Sequence, residues 1–566
     1  MRRRYWWIFV SLSILALPAV AAAEECEELH IEAPSGADHD ITFEFADPVR
    51  CGQFANGDWW VAPADHGVVV ASISPEAAPG RHGWEVNPES ISEQPFDDRI
   101  STYREERRPE LPYEASPGES LVKAVSVSDD DEDCRPCLQF AAVVTVVADP
   151  VPETRLRPPY FGTEKPLFDV DNLVLDRMPR LDADCCDPSE VSSVARRFRH
   201  VQLDHKTNWT GRHMHPIDNL PDYGASIARD NATGILRLML DDVDYDDPDH
   251  LQALINYVQM GVDFFGMVQG GMEWPGNGGH SNGRKLPILV AGLLLGDPVI
   301  QEAAGTDVYS ENHQIFFSPA ANDGEGLALF GQDCGESGYW QRIRQGSGSR
   351  TCADPYGYID GGGEEIGGAY QNCCTINPWK YTSLAVMLLR GEDLWDQPEF
   401  FEYVDRYVTE GTWAQPDPCA PYDGDPDNYG VTYGPDPETD TCIQGEGRFT
   451  DRHAGMPGSG YGSGFGDEMW EVFRPCLPDC PGQPVLDDPE PDPQDPEDPD
   501  DAGVADAGST ADTGVPGDSD GPVDPGQDDP ESGCACAASG APPAGGLTLF
   551  VLLVGALGIL RLRSNS

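Results

Sequence analysis

The run Trp274-Pro-Gly-Asn-Gly-Gly-His-Ser-Asn-Gly-Arg-Lys285 sets Asn277, His280, Asn282, Arg284 and Lys285 among glycines. Glycine lets backbone approach a ligand closely and take dihedrals that other residues avoid. The run feeds an apolar stretch, so its polar groups are expected at the N-terminal mouth of a buried helix. His280 titrates in a range suited to proton transfer. Arg284 and Asn277 could hold a carboxylate or an enolate-like charge. Trp274, Asn282 and Lys285 complete the set as substrate contacts. The alternative is an Asn/Gly-rich loop whose histidine and arginine cap neighbouring helices.

Three further clusters have chemical potential. Asp360-Gly-Gly-Gly-Glu364-Glu365 leads to Tyr370, Asn372, Cys373, Cys374 and Trp379. Tyr370 is a candidate general acid or base. Trp379 could stack on the apolar face of a sugar ring, or belong to a core. Trp209, Arg212, His213 and His215 form the next cluster. Its two histidines alternate in a short segment, and no third ligand completes a zinc site. Arg452, His453 and Tyr461 form the last, in a loop that is otherwise simply solvated; His453 is its candidate substrate contact. No metal and no cofactor is expected.

The elements that must position these groups change character along the chain. Residues 24–155 read as short strands. Ile41-Thr-Phe-Glu-Phe45 alternates apolar and polar, and residues 68–73 and 141–147 are rich in β-branched side chains. Asn56-Gly57-Asp58 before Trp59-Trp60 predicts a tight hairpin. The expectation is an antiparallel β-sandwich. Residues 156–480 take up helical spacing. Helices are predicted over residues 249–268, 284–295, 379–389, 400–408 and 467–473, joined by long Gly-rich loops. Pro287 is tolerable because it falls in a first turn. Hairpins of this kind pack into an α/α bundle or toroid with loops gathered at one end. The predicted fold class is α+β multidomain.

Composition narrows the partners. The formal net charge is −62. Such a surface repels nucleic acid and anionic lipid, and it repels a polyanionic substrate unless a basic patch lines the cleft. Residues 481–532 are dominated by Asp, Pro, Gly and Glu, which cannot bury enough surface to offset ordering entropy. They read as a disordered, self-repelling stalk. The acidic stretches at residues 241–247 and 423–440 lack the ligand spacing of an EF-hand.

Sixteen cysteines are present. Two of the sixteen, Cys534 and Cys536, lie near the C-terminus, leaving fourteen for disulfides in an oxidising compartment. The expected local pairs are Cys26–Cys51, Cys134–Cys137, Cys334–Cys352, Cys419–Cys442 and Cys476–Cys480. Adjacent Cys185-Cys186 and Cys373-Cys374 are expected to join separate segments.

The ends carry sorting signals. Arg2, Arg3 and Arg4, an apolar stretch to Val20 and Ala21-Ala22-Ala23 give the layout of a signal peptide over residues 1–23. Residues 533–566 combine Ser-Gly-Cys534-Ala-Cys536, an apolar segment at 546–560, and Arg561 with Arg563. This order closely resembles the MYXO-CTERM sorting tail. The resemblance implies recognition and cleavage near the cysteines by a sorting protease, a membrane-inserted tail, and an exported protein held at the cell surface.

The body carries a second resemblance. Asn56-Gly57-Asp58-Trp59-Trp60, the Gly-Gly-His-Ser-Asn-Gly-Arg-Lys loop running into Leu286-Pro-Ile-Leu, Cys-Cys-Thr375 before a helix, and Met469-Trp470 look like secreted bacterial proteins of uncertain activity. The likeness covers roughly residues 40 to 475. The helical part resembles the (α/α) toroids of polysaccharide lyases and six-hairpin glycosidases. That likeness implies a glycan partner and a lyase that neutralises a uronate, removes its C5 proton and protonates the leaving oxygen. His280 or Tyr370 would be the base, Tyr370 the acid, and Asn277 with Arg284 the clamp. Two other expectations stay open. One is a glycoside hydrolase pairing Glu273 with Asp360, Glu364 or Glu365. The other is a non-catalytic glycan-binding or envelope protein.

Overall fold

In the computed structural model the chain is described over residues 24–128, 133–206, 209–276, 278–319, 324–331, 334–335, 337, 371–411, 458 and 460–484. Asn277, Asp360, Glu364, Glu365, Tyr370, Arg452, His453, Cys534 and Cys536 lie outside the described residues. So do the signal peptide, the tail, almost all of the stalk, Cys352, Cys419 and Cys442.

The first half of the described chain forms strands: β1 (Glu24–Ile31), β2 (Ile41–Gln53), β3 (Trp59–Ala62), β4 (Val68–Ser74), β5 (Trp84–Val86), β6 (Tyr113–Ala115), β7 (Ser120–Ser126) and β8 (Leu138–Val146). The alternation in β2 does what its pattern implies: Ile41, Phe43 and Phe45 are buried and Glu44 is exposed. The hairpin joining β2 to β3 turns at Gly57, whose φ is +86°. Its loop is closed by hydrogen bonds from Gly57 N–H to Phe54 O and from Phe54 N–H to Asp58 O, both 2.8 Å.

The eight strands form one mixed sheet in the order β5-β7-β8-β3-β2-β4-β6, with β1 added alongside β2. This corrects the expected antiparallel sandwich in two respects. β3 and β8 run parallel, pairing Trp59 with Val144 and Val61 with Val146. The sheet also curls on itself, so that its terminal strands approach: Trp84 on β5 meets Tyr113 on β6 edge-on at 5.6 Å. β7 and β8 are buried on both faces. Leu121, Val125, Phe140 and Val144 fill the inside of the curl. Val122, Ala124, Ala141 and Val143 turn outward into the core that the helices share.

The helices are α1 (Val191–Arg197), α2 (Gly224–Leu238), α3 (Pro248–Gln269), α4 (Lys285–Leu295), α5 (Pro298–Ala304), α6 (Ser310–His313), α7 (Ile376–Leu388), α8 (Glu392–Trp395), α9 (Pro398–Glu410) and α10 (Gly464–Phe473). A small hairpin of β9 (Ile315–Ser318) and β10 (Leu327–Phe330) follows α6. Each of the five predicted helices is present. α3 starts as its sequence directs, with Asp247 Oδ1 accepting the Asp249 N–H at 2.9 Å and Pro248 in the first turn. α4 ends at Gly296 in the left-handed region. Among the described residues no helix is long and apolar enough to cross a membrane. Strands and helices are joined by a buried ion network. Arg157, 1% exposed, bonds Asp58 of the β2–β3 hairpin at 2.5 Å and Asp263 of α3 at 2.9 and 2.5 Å.

The longest of the helices that sequence reasoning missed is α2; the short α1, α5, α6 and α8 were missed as well. The α2 run Gly-Ala-Ser-Ile-Ala-Arg-Asp-Asn-Ala-Thr-Gly scatters the weak formers Gly, Ser, Asp, Asn and Thr among its alanines. One of those weak formers is explained by contact. A Cβ on Gly224 would lie 2.2 Å from the carbonyl oxygen of His280. Helix and loop backbones therefore touch, which only glycine permits. Gly224→Ala is expected to destabilise by about 1–3 kcal/mol, the usual cost of overpacking. Gly464→Ala, with nothing within 4 Å of the added methyl, is expected to stabilise by about 0.4–1 kcal/mol. Thermal unfolding of the two proteins checks both signs.

Candidate functional site

The Gly-rich loop preceding α4 is held down by buried side chains from several elements. Gln314 Nε2 donates to Gly278 O at 3.1 Å. Gly283 N–H donates to Glu311 Oε1 at 2.7 Å, and Asn231 Nδ2 of α2 donates to Gly283 O at 2.8 Å. Ser310 Oγ donates to Asn282 Oδ1 at 2.8 Å. Arg284 folds back, its Nη1 donating to Asn282 O at 2.6 Å and reaching His280 O at 3.5 Å. A loop with this many fixed bonds is preorganised, which a site on a loop requires.

Beneath the loop lies a buried charged triad. Arg284 Nε donates to Asp204 Oδ2 at 2.6 Å. His215 Nε2 stands 2.8 Å from Asp204 Oδ1, and its Nδ1 stands 2.9 Å from Pro221 O. Both ring nitrogens of His215 face oxygen. Asp204, His215 and Arg284 are 1%, 1% and 2% exposed. Burial alone would push the Asp204 carboxyl up; Arg284 and His215 together outweigh it and hold it at about 2.

This geometry places the expected residues as follows. Arg284, expected to clamp a substrate carboxylate, is committed to Asp204. Lys285 is fully buried, donating to Asn312 Oδ1 at 2.9 Å and Trp395 O at 2.6 Å. Trp274 stacks on Tyr309 with ring centres 6.1 Å apart, and Trp379 packs against Phe400 and Tyr403. Asn282 and Asn372 are buried too, Asn372 within a π-helix at Gln371–Thr375. None of these six side chains is exposed enough to meet a polymer.

His280 is different. It is half-buried, and its Nδ1 is buried without a hydrogen-bond partner among the described residues. Tyr223, the N-cap of α2, sits edge-on to the imidazole with ring centres 4.8 Å apart. The Arg212 guanidinium lies 4.9 Å from the centre of the Tyr223 ring, and Nη2 of Arg212 bonds Asp222 Oδ2 at 2.6 Å. Nε of Arg212 is buried with no acceptor among the described residues. Tyr461 leans on Tyr223 at 5.3 Å, its backbone at φ +55°. That conformation is costly for a non-glycine residue and recurs at functional sites. Burial, then the charges of Arg212 and Arg135, lower the His280 imidazole to about 4, with Asp222 acting in the opposite sense. The ring is thus neutral near pH 7, as a general base must be.

The Cys373–Cys374 disulfide forms the floor beside this group. A Cβ on Gly279 would meet Tyr223 Oη at 2.5 Å and Cys374 Cβ at 2.8 Å, and one on Gly460 would meet Cys373 O at 2.2 Å. Segments around residues 212, 223, 280, 373 and 461 therefore converge. Four of the five came from the clusters noted in the sequence. Tyr223 did not, since nothing in Pro-Asp-Tyr-Gly distinguishes it from an ordinary helix start.

The adjacent cysteines correct an expectation. Cys185 bonds Cys186 and Cys373 bonds Cys374, rather than joining separate segments. Each pair brings its two sulfurs together locally, within a short 3-10 turn ending at Cys185 and within the π-helix respectively. Cys26–Cys51, Cys134–Cys137 and Cys476–Cys480 pair as predicted. His213 Nδ1 stands 2.8 Å from Cys134 O, whereas His215 meets Asp204. No group of three metal-ligating side chains occurs among the described residues. Compared with known proteins, the chain matches no protein-family model, no curated protein and no solved structure.

Burial of histidines gives the fold an acid limit. His82 is lowered to about 4 and His205 to about 3, both first by burial, and His280 to about 4. Below about 6.5 the unfolded chain takes up protons that these folded rings refuse. Stability from all three is present above that pH and is lost as pH falls toward 4. Glu85, raised to about 7 by burial, and Asp218, Asp263, Glu311 and Glu392, also raised first by burial, work the other way, while His200 and His213, lowered first by burial, act with these three histidines. The unfolding temperature is expected to fall progressively between pH 6.5 and 4, as calorimetry across that range would test.

Proposed function

We propose that this protein acts on a uronate-containing polysaccharide by β-elimination at the His280–Tyr223–Arg212 cluster, while held at the cell surface by its C-terminal tail. The observation that carries this reading is the neutral His280 ring, its Nδ1 without a partner, set edge-on to a tyrosine that packs under an arginine with an unused Nε–H.

Each group has a defined task. Arg212 receives the C6 carboxylate of the uronate and stabilises the enolate-like charge that develops there. His280 accepts the C5 proton. The hydroxyl of Tyr223 or Tyr461 protonates O4 as the C4–O4 bond breaks, leaving a C4–C5 double bond and a free chain end. Arg212 thus takes the role that the sequence suggested for Arg284. The Asp204–Arg284–His215 triad positions the loop without touching substrate.

The remaining expectations belong to the same reading. The helices α2 to α10 represent hairpins of an (α/α) toroid, with the site at the end where the loops gather. Residues 481–532 are a disordered stalk. The MYXO-CTERM-like tail with Cys534 and Cys536 delivers the body to the cell surface, where polysaccharide is met. Incubation of the purified protein with a panel of polyuronates tests the reading. Chain ends that absorb in the ultraviolet are expected. New reducing ends without that absorbance would indicate hydrolysis instead, and no products from any polyuronate would overturn a catalytic role.

A further inference from the structure

We propose that Asp222 is a resident competitor for the substrate carboxylate: it occupies part of the Arg212 fork and yields it when a uronate enters. This inference rests on the reading of the site given above and adds the residue that sets its affinity and selectivity for anions.

The geometry is that of a half-filled fork. Arginine binds carboxylates best through two parallel N–H groups. Asp222 engages Arg212 through Nη2 alone, and the buried Nε–H is left without an acceptor among the described residues. A uronate carboxylate that took both Nε and Nη2 would need the position now held by Asp222 Oδ2. Asp222 is able to leave. Its side chain is 33% exposed against 18% for Arg212. Its backbone, however, is anchored on one side by Pro221 O, 2.9 Å from His215 Nδ1, and on the other by Tyr223 at the start of α2. The carboxylate can therefore swing into solvent without moving the site. Arg212 stays in place because the Tyr223 ring supports it independently of Asp222.

The charges around His280 give Asp222 a second effect. The groups acting on the imidazole are Arg212, Arg135 and Arg284, which disfavour its protonation, and Asp222, which favours it; Tyr223 packs against the ring. Arg284 is neutralised by Asp204. Asp222 thus offsets the cation that must meet the substrate. It keeps the site from binding any passing anion tightly, and a ligand must supply both a carboxylate and sugar-ring contacts to displace it.

Asp222→Asn in the full exported chain tests this, with a short oligouronate as the probe in equilibrium titration and a neutral oligosaccharide as control. Affinity for the oligouronate is expected to rise about fivefold, the scale of a partly exposed ion pair, with no change for the neutral sugar. The acid limb of kcat/KM should also move to lower pH, an effect that a merely structural residue would not produce. Asp222→Glu retains the competitor and should bind no tighter than the parent. Parent binding with no gain in Asp222→Asn, or an equal gain for the neutral sugar, overturns the inference and leaves the proposed function standing. Tighter binding by Asp222→Asn with no turnover by either protein supports the inference and overturns the elimination chemistry. Failure of both proteins to bind overturns both.

Discussion

Asp204→Ala is expected to lower stability by about 3–5 kcal/mol, the cost of leaving buried charge without its partner. Asp204 is the hub of the triad, with one oxygen on Arg284 and the other on His215. All three side chains are essentially withdrawn from water. Removing the carboxylate strands a guanidinium and an imidazole in the interior at once. Asp204→Asn keeps the shape but not the charge, so it should fall between Ala and the parent. Asp204→Ala combined with Arg284→Met removes both charges of the main pair and should recover part of the loss. Denaturant unfolding of the four proteins gives the comparison. A single-variant loss under about 1 kcal/mol, the range of an ordinary surface pair, would show that the triad does not hold the loop.

His280→Ala is expected to reduce turnover of a polyuronate by about 10²–10⁴, the contribution typical of a positioned general base, while leaving the fold nearly unchanged. The two parts of this expectation come from the same fact. Nδ1 of His280 has no hydrogen-bond partner among the described residues, so no bond at that atom is broken when the ring is removed. What is lost structurally is the edge contact on Tyr223. Tyr223→Phe keeps that contact and removes only the hydroxyl, which separates packing from proton delivery. Ultraviolet-monitored kinetics with thermal unfolding of each variant would settle the assignment. A His280→Ala protein that retained a tenth of the parent rate would rule the imidazole out as the base.

Much of the secondary structure was legible because it depends on spacing within one segment. Ile41, Phe43 and Phe45 alternate, so one face of β2 is buried whatever else the chain does. Leu254, Val258, Val262 and Phe265 recur at helical spacing, and α3 buries them all. The Asn-Gly-Asp turn is equally local. α2 was not legible, since its glycine at residue 224 weakens helix propensity and is required only by the loop lying against it.

The candidate site divides along the same line. Residue types and the Gly-rich loop around His280 could be read directly, because glycine spacing and the mixture of Asn, His and Arg are properties of one short segment. Which way each side chain turns could not. Arg284 and Lys285 are adjacent in sequence, yet Arg284 closes on Asp204 and Lys285 on Asn312 and Trp395. Arg212 acquires its importance only because Tyr223 and His280 arrive beside it. The parallel pairing of β3 with β8 and the curl that brings Trp84 to Tyr113 were likewise settled by tertiary structure. The physical reason is common to all of them. Backbone periodicity is governed by neighbours within a few residues, whereas the choice of partner for a buried charge or ring is governed by which distant groups share its low-dielectric surroundings.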